Sequence, residues 1–214
     1  MSLPISHWNF DQGSGTTAYD SVGTNDGTVY GAAWTIGQIN GALSFDGMND
    51  YVDMADTVKN YLDTSYTVSA WINTKTIYGI HYIAMYRRST LDIGYQILFH
   101  LDLIDSDVRF IVGSLGNNAI ASHPDAITTN TWYHVAGVRE ENTVNVYVNG
   151  VSGIPDSETF GAISPDNFKI GAIHCCDQGI QRFFDGTIDD VMIFDIALSA
   201  QEIQQLYTNG SSGL

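Results

Sequence analysis

The chain has 214 residues, 44% of them hydrophobic, and no apolar run approaches the roughly 20 residues that a membrane-spanning helix needs. Twenty-four Asp and Glu against eight Lys and Arg give a formal charge of -16, a balance that repels phosphate backbones and argues against nucleic acid as a partner. Twenty of the acids are Asp, the residue of turns and calcium loops, and 21 glycines with four prolines fit many short strands joined by tight turns.

Met1-Ser2-Leu3 reads as an added start, and nothing before Pro4 resembles a signal peptide. One β domain is expected over residues 4–210, with a polar tail at 211–214, as a module of a larger extracellular protein. Strands are predicted at Ser6 to Phe10, Gly27 to Tyr30, Ala42 to Phe45, Tyr51 to Met54, Tyr66 to Thr74 and His81 to Tyr86. More follow at Gly94 to Leu101, Val108 to Val112, Thr131 to Arg139, Thr143 to Val148, Phe168 to Ala172 and Phe183 to Phe194. In YTVSAWIN, Tyr66, Val68, Ala70 and Ile72 share an apolar face and leave Trp71 on the other. Val144, Val146 and Val148 alternate in the same way, and Asn149-Gly150 is a hairpin signal. Thr57 to Leu62 offers a helical turn. Near the end, Ser199 and Glu202 form a capping box, Leu198 and Ile203 the matching hydrophobic staple, and Asn209-Gly210 a stop. The predicted fold is an all-β, two-sheet antiparallel sandwich closed by one short C-terminal helix.

Five segments in order, HWNFDQGSGTTAYDSVGTNDGT, GALSFDGMNDYVDM, YTVSAWINTK, TWYHVAGVREENTVNVYVNG and GTIDDVMIFDIALSAQEIQQLY, resemble a laminin G-like domain of the concanavalin A-like lectin/glucanase superfamily. The resemblance runs from Trp8 to Tyr207 and implies a jelly-roll of two antiparallel sheets. Two stretches depart from the pattern, Tyr78 to Asp125 and His174 to Arg182, and these are free to carry specificity.

Calcium takes six to eight hard oxygens from carboxylates, Asn side chains and turn carbonyls. Asp20 and Asn25, in the loop YDSVGTNDG, offer two such side chains; the plainer reading is that they make Asx-turns. The resemblance implies a structural Ca²⁺ between that loop and the aspartate opening the last long strand, Asp189, with Asp190 as the alternative. Asp46 and Asp50 read as turn residues, and His134 as a satisfied core histidine.

A sugar surface needs aromatic faces and planar polar groups. Tyr78, His81, Tyr82, Tyr86, Arg87 and Arg88 cluster in the first departing stretch, and two adjacent arginines in a chain with five supply a fork of donors. The second stretch adds His174 and Arg182, with Cys175-Cys176 between them, either a vicinal disulfide or two small thiols. The two stretches are expected on one rim or face. Glucanases of the superfamily carry a Glu-x-Asp-x-x-Glu run; Glu140, Glu141, Glu158 and Glu202 form none. The expected function is non-catalytic binding of a glycan or polysaccharide. A cell-surface or matrix protein is the competing ligand, and a polysaccharide hydrolase or lyase ranks last.

Overall fold

The computed structural model describes residues 2–54, 58, 62–87, 96–114, 117–160, 167–174 and 179–212. Strands are numbered in chain order. A nine-stranded antiparallel sheet runs β14 (Val151–Ser152), β13 (Thr143–Val148), β12 (Trp132–Glu140), β7 (Ser65–Thr74), β19 (Asp185–Phe194), β5 (Gly41–Asp46), β4 (Ala33–Ile36). On it, β1 (Ser6–Trp8) pairs with β19, and β15 (Asp156–Ser157) with β13. The eight-stranded sheet runs β11 (Asn117–His123), β10 (Asp107–Ser114), β9 (Gln96–Ile104), β8 (Ile80–Arg87), β16 (Asn167–Ile170), β6 (Tyr51–Met54), β3 (Gly27–Tyr30), β2 (Thr17–Ala18). A small hairpin of β17 (Ile173–His174) and β18 (Ile180–Gln181) and one helix, α1 (Ala200–Ser211), complete the described elements.

The core lies between the two sheets. Tyr66, Val68, Ala70 and Ile72 of β7 point into it, with Val144, Val146 and Val148 of β13, against Ile83 and Tyr86 of β8 and Phe110 of β10. Trp8 meets Phe168 edge-on at 5.6 Å, and Phe45 meets Phe184 at 6.3 Å. β12 and β19, which flank the central strand β7, are buried on their outer side as well, because α1 lies there: Leu198 and Ile203 pack on Ala136, Val138 and Phe194. The capping box forms as its spacing predicts, and the staple residues Leu198 and Ile203 are 3% and 0% exposed.

Several expectations change. The helix does not stop at Asn209-Gly210 but runs to Ser211. Gly210 is instead the place where the last turn meets the Trp71 indole, which a Cβ would strike. Asn149 and Gly150 do turn as read, both at positive φ, joining β13 to β14. β4 and β11 were not foreseen; Trp34 lies in β4. The strand expected from Gly94 is described only from Gln96, and most of the Thr57 to Leu62 turn lies outside the described residues.

Candidate functional site

On β8 the core takes Ile83, Ala84 and Tyr86, so Tyr82, Met85 and Arg87 are left to the outer face of the eight-stranded sheet. The β17–β18 hairpin covers part of that face, packing Ile173 on Tyr82 and Met85. The two departing stretches therefore meet. The Tyr82 amide donates to the Arg182 carbonyl at 3.3 Å, and the Arg182 guanidinium reaches the Tyr82 hydroxyl at 3.5 Å. His81 Nδ1 lies 2.8 Å from the Phe183 carbonyl and its Nε2 2.8 Å from the Tyr78 carbonyl. Tyr78 is 79% exposed, and Arg182 is exposed too.

Tyr86 does not belong to this site. It is fully buried, stacked on Phe168 at 5.4 Å, because it sits on the core-facing side of β8. Arg87 is 6% exposed, so its charge acts from below the surface. His174 is half-buried at the start of the hairpin. Arg88, Cys175 and Cys176 lie outside the described residues.

The sequence reading missed the rest of the face. Tyr30 and Tyr51 are in register on β3 and β6 and stack at 4.7 Å with 14° between planes. Beside them the Lys169 ammonium holds Asp53 at 2.6 Å and lies 5.8 Å from the Tyr51 ring centroid. On β9, buried Asp102 receives a bidentate fork from Arg109, both bonds 3.0 Å. Burial pushes the Asp102 carboxyl up, and Arg109 opposes it; burial likewise raises the Tyr82 hydroxyl, with the Asp102 charge adding. These residues share a face only because distant strands pair, a fact that local alternation does not carry.

The metal candidates have different partners. Asp20 Oδ1 accepts from the amides of His7 (2.9 Å), Val22 (3.2 Å) and Gly23 (2.9 Å), and Oδ2 from the Asn25 amide (3.2 Å) and side chain (3.3 Å). Burial alone would raise its pKa, yet these donors bring it below the usual carboxylate value. Five N–H donors around one carboxylate stabilise its own charge and leave little to offer a cation. Asp189 has other neighbours. Its Oδ2 accepts from the Ile39 amide at 2.9 Å, while the buried Oδ1 has no hydrogen-bond partner. Burial pushes this carboxyl up to about 8, the Ile39 amide opposes that, and the charges of Asp190 and Asp11 add to it. A side chain at Gly37 would collide with this carboxylate and with the Gly41 carbonyl, so the turn from Gly37 to Gly41 closes directly over it. Among the described residues no three His, Cys, Asp or Glu side chains form a metal-holding group. A bulge explains why alternation could not separate Asp189 from Asp190. Asp190 has φ 49°, Ile188 and Val191 both stay in the core, and both carboxylates turn out of it.

Asp190 Oδ1 contacts His7 Nε2 at 2.5 Å, on the wall of a cavity of about 450 Å³ between the nine-stranded sheet and α1. Ser69, Trp71 and His134 line it from the sheet. His134 is buried as expected but is not satisfied: its Nδ1 has no partner, and burial lowers its pKa to about 4. It packs on Trp71 at 5.4 Å, outside the sandwich core. Asp46 and Asp50 are turn residues, accepting from the amides of Met48 and Asn49 and of Asp46.

A family model of the concanavalin A-like lectin/glucanases superfamily, of laminin G type, matches residues 45–204. The chain belongs to this laminin G-like family. No curated protein matches its sequence. Among solved structures, domain 4 of AbnA, a GH43 extracellular arabinanase from Geobacillus stearothermophilus in complex with arabinotriose, is similar over 95% of this chain and 98% of that one. The TM-score is 0.72 and the identity 20%. The receptor binding domain of botulinum neurotoxin C/D mosaic serotype gives 0.71 at 16% identity, with 96% of this chain against 51% of that one. Trypanosoma rangeli sialidase in complex with the inhibitor DANA gives 0.70 at 16%, with 95% of this chain on 32% of the enzyme. At such identities the likeness is one of fold. The laminin G-like domain thus spans about half of the toxin domain and a third of the sialidase. No helix among its described residues is long and apolar enough to cross a membrane.

Proposed function

We propose that this laminin G-like domain is a non-catalytic carbohydrate-binding module of an extracellular protein, and that its glycan lies on the outer face of the eight-stranded sheet. The carrying observation is the meeting of the two departing stretches, through Tyr82 and Arg182, on a face that also presents the stacked Tyr30–Tyr51 pair. Tyr30 is 45% exposed and Tyr78 79%, so aromatic faces are open to sugar C–H groups, and the exposed Arg182 guanidinium at Tyr82 can hold hydroxyls. The arabinotriose complex of the similar arabinanase domain adds weight to a sugar over a protein ligand. Glu140 and Glu141 sit at the β12–β13 turn, Glu158 follows β15 and Glu202 caps α1, a distribution that favours binding over hydrolysis.

A structural Ca²⁺ belongs to the same proposal, with changed ligands. The amide-filled environment of Asp20 and Asn25 does not suit a cation, whereas the orphaned Oδ1 of Asp189 does. Asp189 would hold the ion with Asp11 and carbonyls of the Gly37–Gly41 turn, and the ion would supply the positive charge that this buried carboxylate lacks.

A glycan array probed with and without chelator tests the sugar reading. Binding of at least one glycan class is expected, weakened about two- to tenfold by Tyr30→Ala or Tyr78→Ala, since stacking contributes about 0.5–1.5 kcal/mol. An array blank in calcium would reject it.

A further inference from the structure

The chain has eight Lys and Arg against 24 acids, and four of those cations, Arg87, Arg109, Lys169 and Arg182, belong to the outer face of the eight-stranded sheet. Among the described residues the carboxylates on that face are Asp53, Asp102 and, beside Arg109 on β10, Asp107, which holds the Asp125 amide. Asp105 lies at its edge, on the β9–β10 turn, where it holds the amide of Gly79. A domain of charge -16 has thus gathered half its cations on one surface, and that surface is the one already argued to carry the glycan.

We propose that this face reads acidic sugars: its ligand is a short glycan bearing a uronic acid carboxylate, held by Arg182 beside Tyr82. The inference rests on the carbohydrate reading and names the substrate class for it. Each cation has a distinct part. Lys169 is spent on Asp53 and braces Tyr51 from beneath. Arg109 neutralises Asp102, whose charge would otherwise repel an incoming carboxylate. Arg87 lies buried near Tyr82 and adds field without reaching out. Arg182 is the exposed member, a planar fork suited to two carboxylate oxygens. Tyr82 and Tyr51 are separated by β16 alone, so two strand spacings, about 10 Å, lie between the carboxylate reader and the aromatic stack. That span accommodates a sugar stacked on the Tyr30–Tyr51 side and its acidic neighbour at Arg182.

The rest of the molecule limits the ligand's length. A long polyanion would be repelled by the acidic remainder, whereas contacts within a Debye length of about 8 Å are governed by the local cations. Short oligomers with few carboxylates fit this balance.

The test is calorimetric titration of the whole domain in calcium with oligomers of galacturonic, glucuronic and mannuronic acid. Each is paired with the same oligomer after its carboxyls have been reduced to hydroxymethyl groups. At least one acid form is expected to bind roughly tenfold or more tightly than its reduced partner, as a charge-assisted bond implies. Arg182→Gln should erase that preference, costing the acid form at least about tenfold more affinity than it costs the reduced oligomer. Circular dichroism would show that the exposed substitution leaves the fold intact. Equal binding of acid and reduced forms, or a preference that survives Arg182→Gln, overturns the inference. If the acids fail while neutral glycans bind the array through Tyr30, only the acidic preference falls. If no glycan of any kind binds, the carbohydrate reading falls with it.

Discussion

Asp189 concentrates what a single residue contributes here, because its chemistry follows from a position that its sequence neighbours do not reveal. Its carboxyl is buried with one oxygen unpartnered, and burial raises its pKa from 3.8 to about 8. The folded state therefore keeps a proton that the unfolded chain releases between those values. This residue's contribution to stability is fully present below about pH 4 and is lost as pH climbs towards 8. His134 works with the opposite slope. Its pKa is lowered from 6.5 to about 4, so its contribution is present above pH 6.5 and is lost as pH falls towards 4. In chelator, melting temperatures of Asp189→Asn should exceed wild type by a margin that widens from pH 5 to pH 8. Calcium should raise the wild-type value most at the alkaline end, where no proton competes, and should do little for the variant. Identical pH profiles for the two proteins, with and without calcium, would sink both the buried charge and the ion. The acidic pair was legible in the sequence. Its true partners, Ile39, Gly37 and Asp11, were not, since they come from two loops far away along the chain.

At the scale of elements, α1 was the most legible part of the chain, because its signals are local. Ser199 and Glu202 exchange hydrogen bonds across the first turn, from the Glu202 amide at 3.3 Å and the Ser199 amide at 3.0 Å. The Ser199 amide, and after it the Ser199 and Ser2 hydroxyls, donate to the Glu202 carboxylate and bring it down to about 2. Replacing Ser199 by Ala should cost about 1 kcal/mol of stability in urea melts. Glycan affinity should stay at its wild-type value, because α1 covers the nine-stranded sheet and the proposed site is on the other one. A loss of binding that exceeds the loss of stability would place the ligand near the helix instead. Where the helix ends was misread for an equally local reason. Gly is common just past a helix, but at Gly210 the determinant is a long-range contact with Trp71. The β17–β18 hairpin shows the converse. Its stretch stood out by departing from the family pattern, yet only pairing and packing disclose that it lies on Tyr82 and Met85.

Over the whole molecule, alternation made the two-sheet sandwich readable, since strands such as β7 and β13 announce which side is buried. How closely the sheets approach is another matter, and Gly137 decides it at one point. It lies on β12 between Ala136 and Val138, whose side chains point out towards α1, so its own missing side chain would point into the core. There the ring of Phe110, from the opposite sheet, fills the space that a Cβ would take. Phe110 also meets Tyr66 edge-on at 6.5 Å, so the ring has little freedom to retreat. Gly137→Ala should therefore wedge the sheets apart, with a loss of about 1–3 kcal/mol. The usual gain from replacing a strand glycine by alanine is absent here because the site is occupied. A double-mutant cycle with Phe110→Leu separates this cause from a backbone effect. Relief of overpacking predicts that the pair loses less than the sum of its singles, with a coupling of at least about 0.5 kcal/mol. Additive losses would show instead that Gly137 serves the strand's conformation and that the sheets could have stood further apart.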